Sequence, residues 1–225
     1  MMILFDIDDT LFDNSGAEIK ASEEFYIKNK ELKHFAGLDD FVENWRATTE
    51  TYLQMYIEGQ LSFQEQRRHR LRDIFRQSFK AKEADALFER YLELYEESWA
   101  LFPDALPCLD RLASSRLGII TNGNTRQQRQ KLKALGIVDR FDTIIVSEDV
   151  GVSKPDPQIF IHACKTAGEK PSDCFYVGDK LEIDAQAASG AGLTGIWLNR
   201  NQAKTKQNSI HEIHTLDDLQ GDTFP

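Results

Sequence analysis

The segment Met2-Ile3-Leu4-Phe5-Asp6-Ile7-Asp8-Asp9-Thr10 decides how the chain is read. Four consecutive apolar residues suit a strand buried on both faces, and the run stops abruptly at an acidic string. A strand that ends in carboxylates puts negative charge at one edge of a sheet. The rest of the chain must therefore supply both the other strands and whatever tolerates that charge.

Outward from this segment the texture changes twice. From about Gly16 to Trp99 the pattern is helical: Phe41, Trp45, Thr48, Tyr52 and Met55 step by three or four residues, and so do Ala84, Leu87, Phe88, Tyr91, Leu92, Tyr95 and Trp99. Such stripes are the inward faces of a helix bundle. Pro103 follows the block, and Asp104 is placed to cap a helix running to about Ser115. Beyond it, strands at 117–121, 143–146, 174–177 and 194–198 alternate with helices at 126–135, 157–167 and 181–188, and Gly136 stands where a left-handed helix stop is expected. Short apolar strands alternating with helices imply an α/β fold, a Rossmann-like parallel sheet core with helices on both faces. One strand precedes the helical block and the others follow it. The expected organisation is thus a core of 1–15 and 101–225 with an inserted α-helical domain at 16–100, and a polar, lysine-bearing loop at 199–209.

Composition narrows the function classes. The chain has 225 residues, 41% hydrophobic and 28% charged, so it carries a sizeable core and is neither disordered nor fibrous. Its 27 Lys and Arg against 37 Asp and Glu give a formal charge of −10, which disfavours a nucleic acid polymer as partner unless positive charge is locally concentrated. Cys108, Cys164 and Cys174 form neither a disulfide framework nor a metal pattern and read as buried thiols in a reducing compartment. The opening apolar run is too short for a signal peptide, and no stretch approaches a membrane span. These features predict a cytoplasmic protein without membrane attachment; they do not address oligomeric state.

Ligands of open parallel sheets bind beyond the carboxyl ends of the strands. The four strand ends carry Asp6-Ile7-Asp8-Asp9-Thr10, Thr121-Asn122-Gly123, Ser147 leading to Lys154-Pro155, and Gly178-Asp179 with Asp184 five residues on. Singly, each is ordinary turn or capping chemistry. Together they place several carboxylates at one sheet edge, where they would repel one another without a cation, and oxygen-only donors suit Mg²⁺. A metal with a lysine, a hydroxyl and an amide is a phosphate site.

The ordered runs DIDDTL, ITNG, SKPDP and GDKLEID resemble the four motifs of the haloacid dehalogenase-like hydrolase superfamily, and the helical insert resembles its first-type cap. The resemblance implies that Asp6 is the nucleophile that takes up the phosphoryl group, and that Asp8 protonates the leaving alcohol and then activates water. It implies Mg²⁺ held by the carboxylates of Asp6 and Asp179 and the backbone carbonyl of Asp8, with Asp184 behind these ligands or bridged to the metal by water. Thr121 and Asn122 would bind phosphate oxygens, and Lys154 would neutralise the nucleophile and the transition state. The acidic residue at Asp8 resembles the phosphatases rather than the carbon–halogen-cleaving members; a phosphomutase shares the same carboxylates.

Residues 117–160 are similar to the branch of pyrimidine 5′-nucleotidases and N-acylneuraminate-9-phosphatases. This implies a nucleoside monophosphate as the small-molecule substrate, with a sugar phosphate or phosphoglycolate as the alternative and a non-catalytic binding module as the other class. Inside the insert, Arg67, Arg68, His69, Arg70, Arg72 and Arg76 gather in an otherwise acidic chain. Charge runs on helices are usually solvated faces paired with Glu and Asp, a reading preferred here to electrostatic guidance of an anion. Likewise Trp45, Tyr52, Phe63 and Phe75 could stack on a base, but their helical spacing favours core packing.

Overall fold

The computed structural model describes residues 1–32, 34–205 and 210–220. Its six strands, β1 (Met2–Phe5), β2 (Arg116–Thr121), β3 (Thr143–Val146), β4 (Cys174–Gly178), β5 (Thr194–Leu198) and β6 (His211–Ile213), form one sheet in the order β3-β2-β1-β4-β5-β6. Every neighbouring pair is parallel. The order runs outward in both directions from β1 and β4, so the crevice at their carboxyl ends is where such sheets bind ligands. All four residues of β1 are fully buried, which at roughly 1.5–3 kcal/mol per large apolar side chain anchors the centre of the sheet.

Contacts divide the chain into two compact units, Met1–Asp13 with Ala100–Pro225, and Asn14–Trp99. The first unit holds the sheet and the helices α5 (Ala105–Arg111), α6 (Thr125–Ala134), α7 (Ser147–Val150), α8 (Pro157–Ala167) and α9 (Ala187–Gly190). The second holds α1 (Asn14–Lys28), α2 (Leu38–Ile57), α3 (Phe63–Phe75) and α4 (Ala81–Glu97). No helix among the described residues is long and apolar enough to cross a membrane. The loop expected at 199–209 is described as far as Thr205; residues 206–209 lie outside the described residues.

Two expectations changed. The helix expected at 181–188 begins as a π-helical segment, Leu181–Gln186, before α9. Two glycines make room for it: a Cβ on Gly178 would lie 2.5 Å from the Asp184 side chain, and one on Gly195 would lie 2.0 Å from the Ala185 carbonyl oxygen. Strand β6, with two of its three residues exposed, lacked an apolar run to announce it.

In the helical unit, Phe25, Trp45 and Tyr91 pack ring on ring at 5.3, 5.8 and 4.4 Å between centroids. Trp45 is fully buried, and Phe75 meets Phe25 and Phe79 edge to face, so these rings are core. Tyr52 stacks on His69 and donates to Asp73, while Phe63 lies under Arg67. The basic cluster resolves in the same way. Arg68 makes two 2.7 Å hydrogen bonds to Asp85, Arg72 pairs with Asp73, and Arg70 is buried against Trp45, Phe88 and Tyr91.

Candidate active site

Strand β1 stops at Phe5, and the next backbone amide, that of Asp6, still donates to Val177 O of β4 at 2.9 Å. That bond carries Asp6 to the junction of the two central strands. Strand β4 ends in Gly178, after which Asp179 and the π-helical segment bring in two further carboxylates. One oxygen each from Asp6, Asp179 and Asp184 lies within 4.8 Å of the others. The absence of a Cβ at Gly178 lets Asp184 come this close, and Asp184 Oδ2 is held by the Lys180 backbone amide at 3.0 Å.

Lys154 completes the cluster from the β3 side. Its Nζ donates to Asp6 Oδ1 at 2.8 Å, Asp184 Oδ1 at 2.6 Å and the Tyr176 hydroxyl at 2.7 Å, so all three ammonium protons have acceptors in a buried setting. Burial opposes its charge, but Asp184 and Asp6 hold its proton above the ordinary lysine range. Tyr176 donates its own proton to Ile120 O at 2.9 Å. Burial, then Asp184 and Asp6, push that phenol well above its ordinary value, so it stays a neutral partner for Lys154.

The carboxylates feel their confinement. Burial raises Asp6 to about 6, with Lys154 opposing and Asp184 and Asp8 reinforcing. Burial also raises Asp179 to about 8, with Asp6 and Asp184 adding repulsion. Asp179 Oδ1 is buried with no hydrogen-bond partner. An orphaned carboxylate oxygen among oxygen donors, with proton affinity pushed up by negative neighbours, fits a hard divalent cation. Asp184, expected to act through water or from behind the ligands, stands with Asp6 and Asp179 in one cluster of carboxylates that could hold such an ion.

The Asp8 carboxylate points to other partners. Alternation along an extended segment would keep Asp6 and Asp8 on one side, but β1 has ended and Asp9 turns into the left-handed region at φ 58°. Asp8 Oδ2 accepts from Gln128 Nε2 at 2.9 Å, and Oδ1 accepts from Lys131 Nζ. Gln128 Nε2 also donates to the buried Thr121 Oγ1 at 2.7 Å. The Asn122 side chain faces the Lys154 backbone, donating to its carbonyl at 2.9 Å and accepting from its amide at 2.8 Å, which ties the β2 end to the Lys154 segment. Thr121 and Asp8 are linked through Gln128, whereas Asp6, Lys154, Asp179 and Asp184 form the second group.

Sequence reasoning missed Tyr176, Gln128 and Lys131. Tyr176 sits in an apolar run that reads as core. Gln128 and Lys131 did leave a signal: with Leu132 they occupy the inward positions of α6, where an apolar stripe belongs.

The sequence profile of the haloacid dehalogenase-like hydrolases matches residues 1–192. The chain belongs to the haloacid dehalogenase-like hydrolase family. The resemblance drawn from the four motifs is thereby confirmed. This haloacid dehalogenase-like hydrolase is 39% identical to the glyceraldehyde 3-phosphate phosphatase of Methanopyrus kandleri over 103 residues, 45% of this chain and 44% of that one. It is 33% identical to the pyrimidine 5′-nucleotidase YjjG of Escherichia coli over 144 residues, 60% of this chain and 64% of that one. The matches thus span about half the length of these curated relatives. Among solved structures, the HAD phosphatase from Thermococcus onnurineus matches with a TM-score of 0.68 at 30% identity, over 97% of this chain and 95% of that one.

Proposed function

We propose that this hydrolase is a Mg²⁺-dependent phosphomonoesterase that works through an aspartyl-phosphate on Asp6. The observation that carries the reading is the convergence of Asp6, Asp179 and Asp184 around a buried, unpartnered carboxylate oxygen, with Lys154 beside them. Asp6, Asp179 and Asp184 would hold the cation, with the Asp8 carbonyl as a further donor. Bound there, Mg²⁺ supplies charge neutralisation for phosphoryl oxygens.

The chain's own groups do the rest. Lys154 fixes the rotamer of Asp6 and offsets charge as the Asp6 oxygen attacks phosphorus. The ester P–O bond breaks, and the leaving oxygen takes the proton of Asp8. In the second step Asp8 accepts a proton from water as that water attacks phosphorus, the bond from phosphorus to the Asp6 oxygen breaks, and inorganic phosphate leaves with Asp6 regenerated as carboxylate. The Thr121 hydroxyl offers a phosphate contact, and Asn122 holds the Lys154 backbone. A carboxylic acid at position 8 serves a leaving alkoxide and has no task in expelling halide, which favours phosphatase over dehalogenase.

For substrate we favour a nucleoside monophosphate, supported by the likeness to the pyrimidine 5′-nucleotidase. A triose phosphate is the second reading, supported by the glyceraldehyde 3-phosphate phosphatase. Phosphate release from uridine 5′-monophosphate, glyceraldehyde 3-phosphate and phosphoglycolate, with Mg²⁺ and with chelator, tests both. Metal-dependent turnover highest on the nucleotide supports the first reading, a triose preference replaces it with the second, and no turnover by any ester refutes the phosphatase.

A further inference from the structure

Lys131 and Gln128 present a puzzle that the proposed chemistry leaves open. Both side chains are buried, on a ten-residue helix whose inward face would ordinarily be apolar. A buried ammonium or amide is tolerated in place of an apolar side chain when it is paired, so the partner of these two groups is the informative feature. What they hold is the Asp8 carboxylate, one oxygen each, from positions i and i+3 of α6.

The exposures give the arrangement a direction. The Lys131 side chain is 3% exposed and that of Asp8 is 32% exposed. The clamp is therefore behind the carboxylate, and the carboxylate keeps an accessible edge. Lys131 is itself seated, with Nζ 4.6 Å from the Phe12 ring centroid. Gln128 divides its Nε2 donors between Asp8 Oδ2 and Thr121 Oγ1, tying the two groups at fixed spacing. Asp8 lies past the end of β1, where its backbone is held by an isolated bridge to Phe12, and the aim of its carboxylate is set by these side-chain anchors.

We propose that Gln128 and Lys131 are positioning residues that aim the Asp8 carboxyl at the leaving oxygen of the ester. They touch neither phosphorus nor the leaving group and act through Asp8. The inference rests on the reading of Asp8 as acid and base given above. Loss of aim should be felt where the leaving oxygen needs a proton and hardly where it does not, because misplacement of a reacting group by about 1 Å costs on the order of 100-fold.

The test compares kcat/KM, which covers the chemistry through departure of the alcohol, for two esters of the full chain with Mg²⁺. Para-nitrophenyl phosphate releases a phenolate that needs no proton; uridine 5′-monophosphate, or glyceraldehyde 3-phosphate if the nucleotide is not turned over, releases an alkoxide that does. For Lys131→Met and Gln128→Met we expect losses of about 100-fold on the alkyl ester, within the range for a general acid, and of less than about 5-fold on the aryl ester. Lys131→Arg should restore most of the alkyl-ester rate. Equal losses on both esters, no loss on either, or an arginine variant no better than methionine would overturn the proposal. If Lys131→Met fails to fold by circular dichroism, Gln128→Met carries the same comparison. A wild-type chain inactive on every ester refutes the phosphatase reading itself, whereas an active wild type with equal losses refutes the positioning role alone.

Discussion

Asp179→Asn should make the metal-free protein more stable while ending its hydrolytic activity. Burial first, then Asp6 and Asp184, raise the Asp179 carboxyl from 3.8 to about 8. Between those values the folded chain binds more protons than the unfolded one, so stability falls as pH rises across that window. At pH 7 the window traversed is about three units, and at about 1.4 kcal/mol per unit the cost of keeping this carboxyl in the fold is about 4 kcal/mol at most. Asn takes away this contribution, but Asp6 and Asp184 still repel each other, so a gain of about 2 kcal/mol is expected, or roughly 4–8 °C in Tm for a chain of this size. Thermal unfolding of both proteins in chelator, from pH 5 to 8, measures it. The gap should widen with pH, and saturating Mg²⁺ should close it by stabilising the wild type alone. A variant equal to or less stable than the wild type in chelator at pH 7, or one that keeps Mg²⁺-dependent turnover, would refute the reasoning.

Other substitutions probe the supports of the site. Gly178→Ala forces a Cβ within 2.5 Å of the Asp184 side chain and should cost about 1–3 kcal/mol, with weakened Mg²⁺ binding by calorimetry; unchanged affinity would show that Asp184 does not contribute. Tyr176→Phe leaves one Lys154 proton without an acceptor and should cost about 1–3 kcal/mol in chemical denaturation, with a fall in kcat. Asp104 accepts from the two terminal nitrogens of Arg200, Thr215 Oγ1 and the Leu216 amide; burial opposes its charge, but these donors hold its carboxyl below the ordinary range. Its stabilisation is therefore full above about pH 4 and is lost as pH falls through the lowered folded value, so Asp104→Asn should cost about 2–3 kcal/mol at pH 7 and progressively less in acid.

The elements legible in the sequence were those with a clear apolar signature. β1, β3 and β5 lie where short apolar runs place them, as buried parallel strands do, and α8 lies where the Asp156-Pro157 helix start and its amphipathic period place it. The π-helical segment hid behind an ordinary helical period, since one extra residue in a turn does not alter which residue types are used. Its trace is in the small residues Gly178 and Gly195, which matter only once the close approach of Asp184 and Ala185 is known. The carboxylates and Lys154 were legible as strand-end residues. Their supports were not: Tyr176 reads as core, and Asn122 offers an amide whose target, the Lys154 backbone, is 32 positions away. The basic run of α3 shows the reverse case, a conspicuous pattern that the structure resolves into pairs with Asp85 and Asp73 and rings beneath Arg67 and Arg70.

The central claim is that Asp6 carries the phosphoryl group. Mixing the full chain with Mg²⁺ and a turned-over ester, quenching in acid within one turnover and mapping the peptides by mass spectrometry tests it most directly. The account predicts a phosphoryl adduct on the N-terminal peptide at Asp6, absent from Asp6→Asn and from the chelator control. Turnover with no adduct at Asp6, or an adduct on another residue, would contradict it.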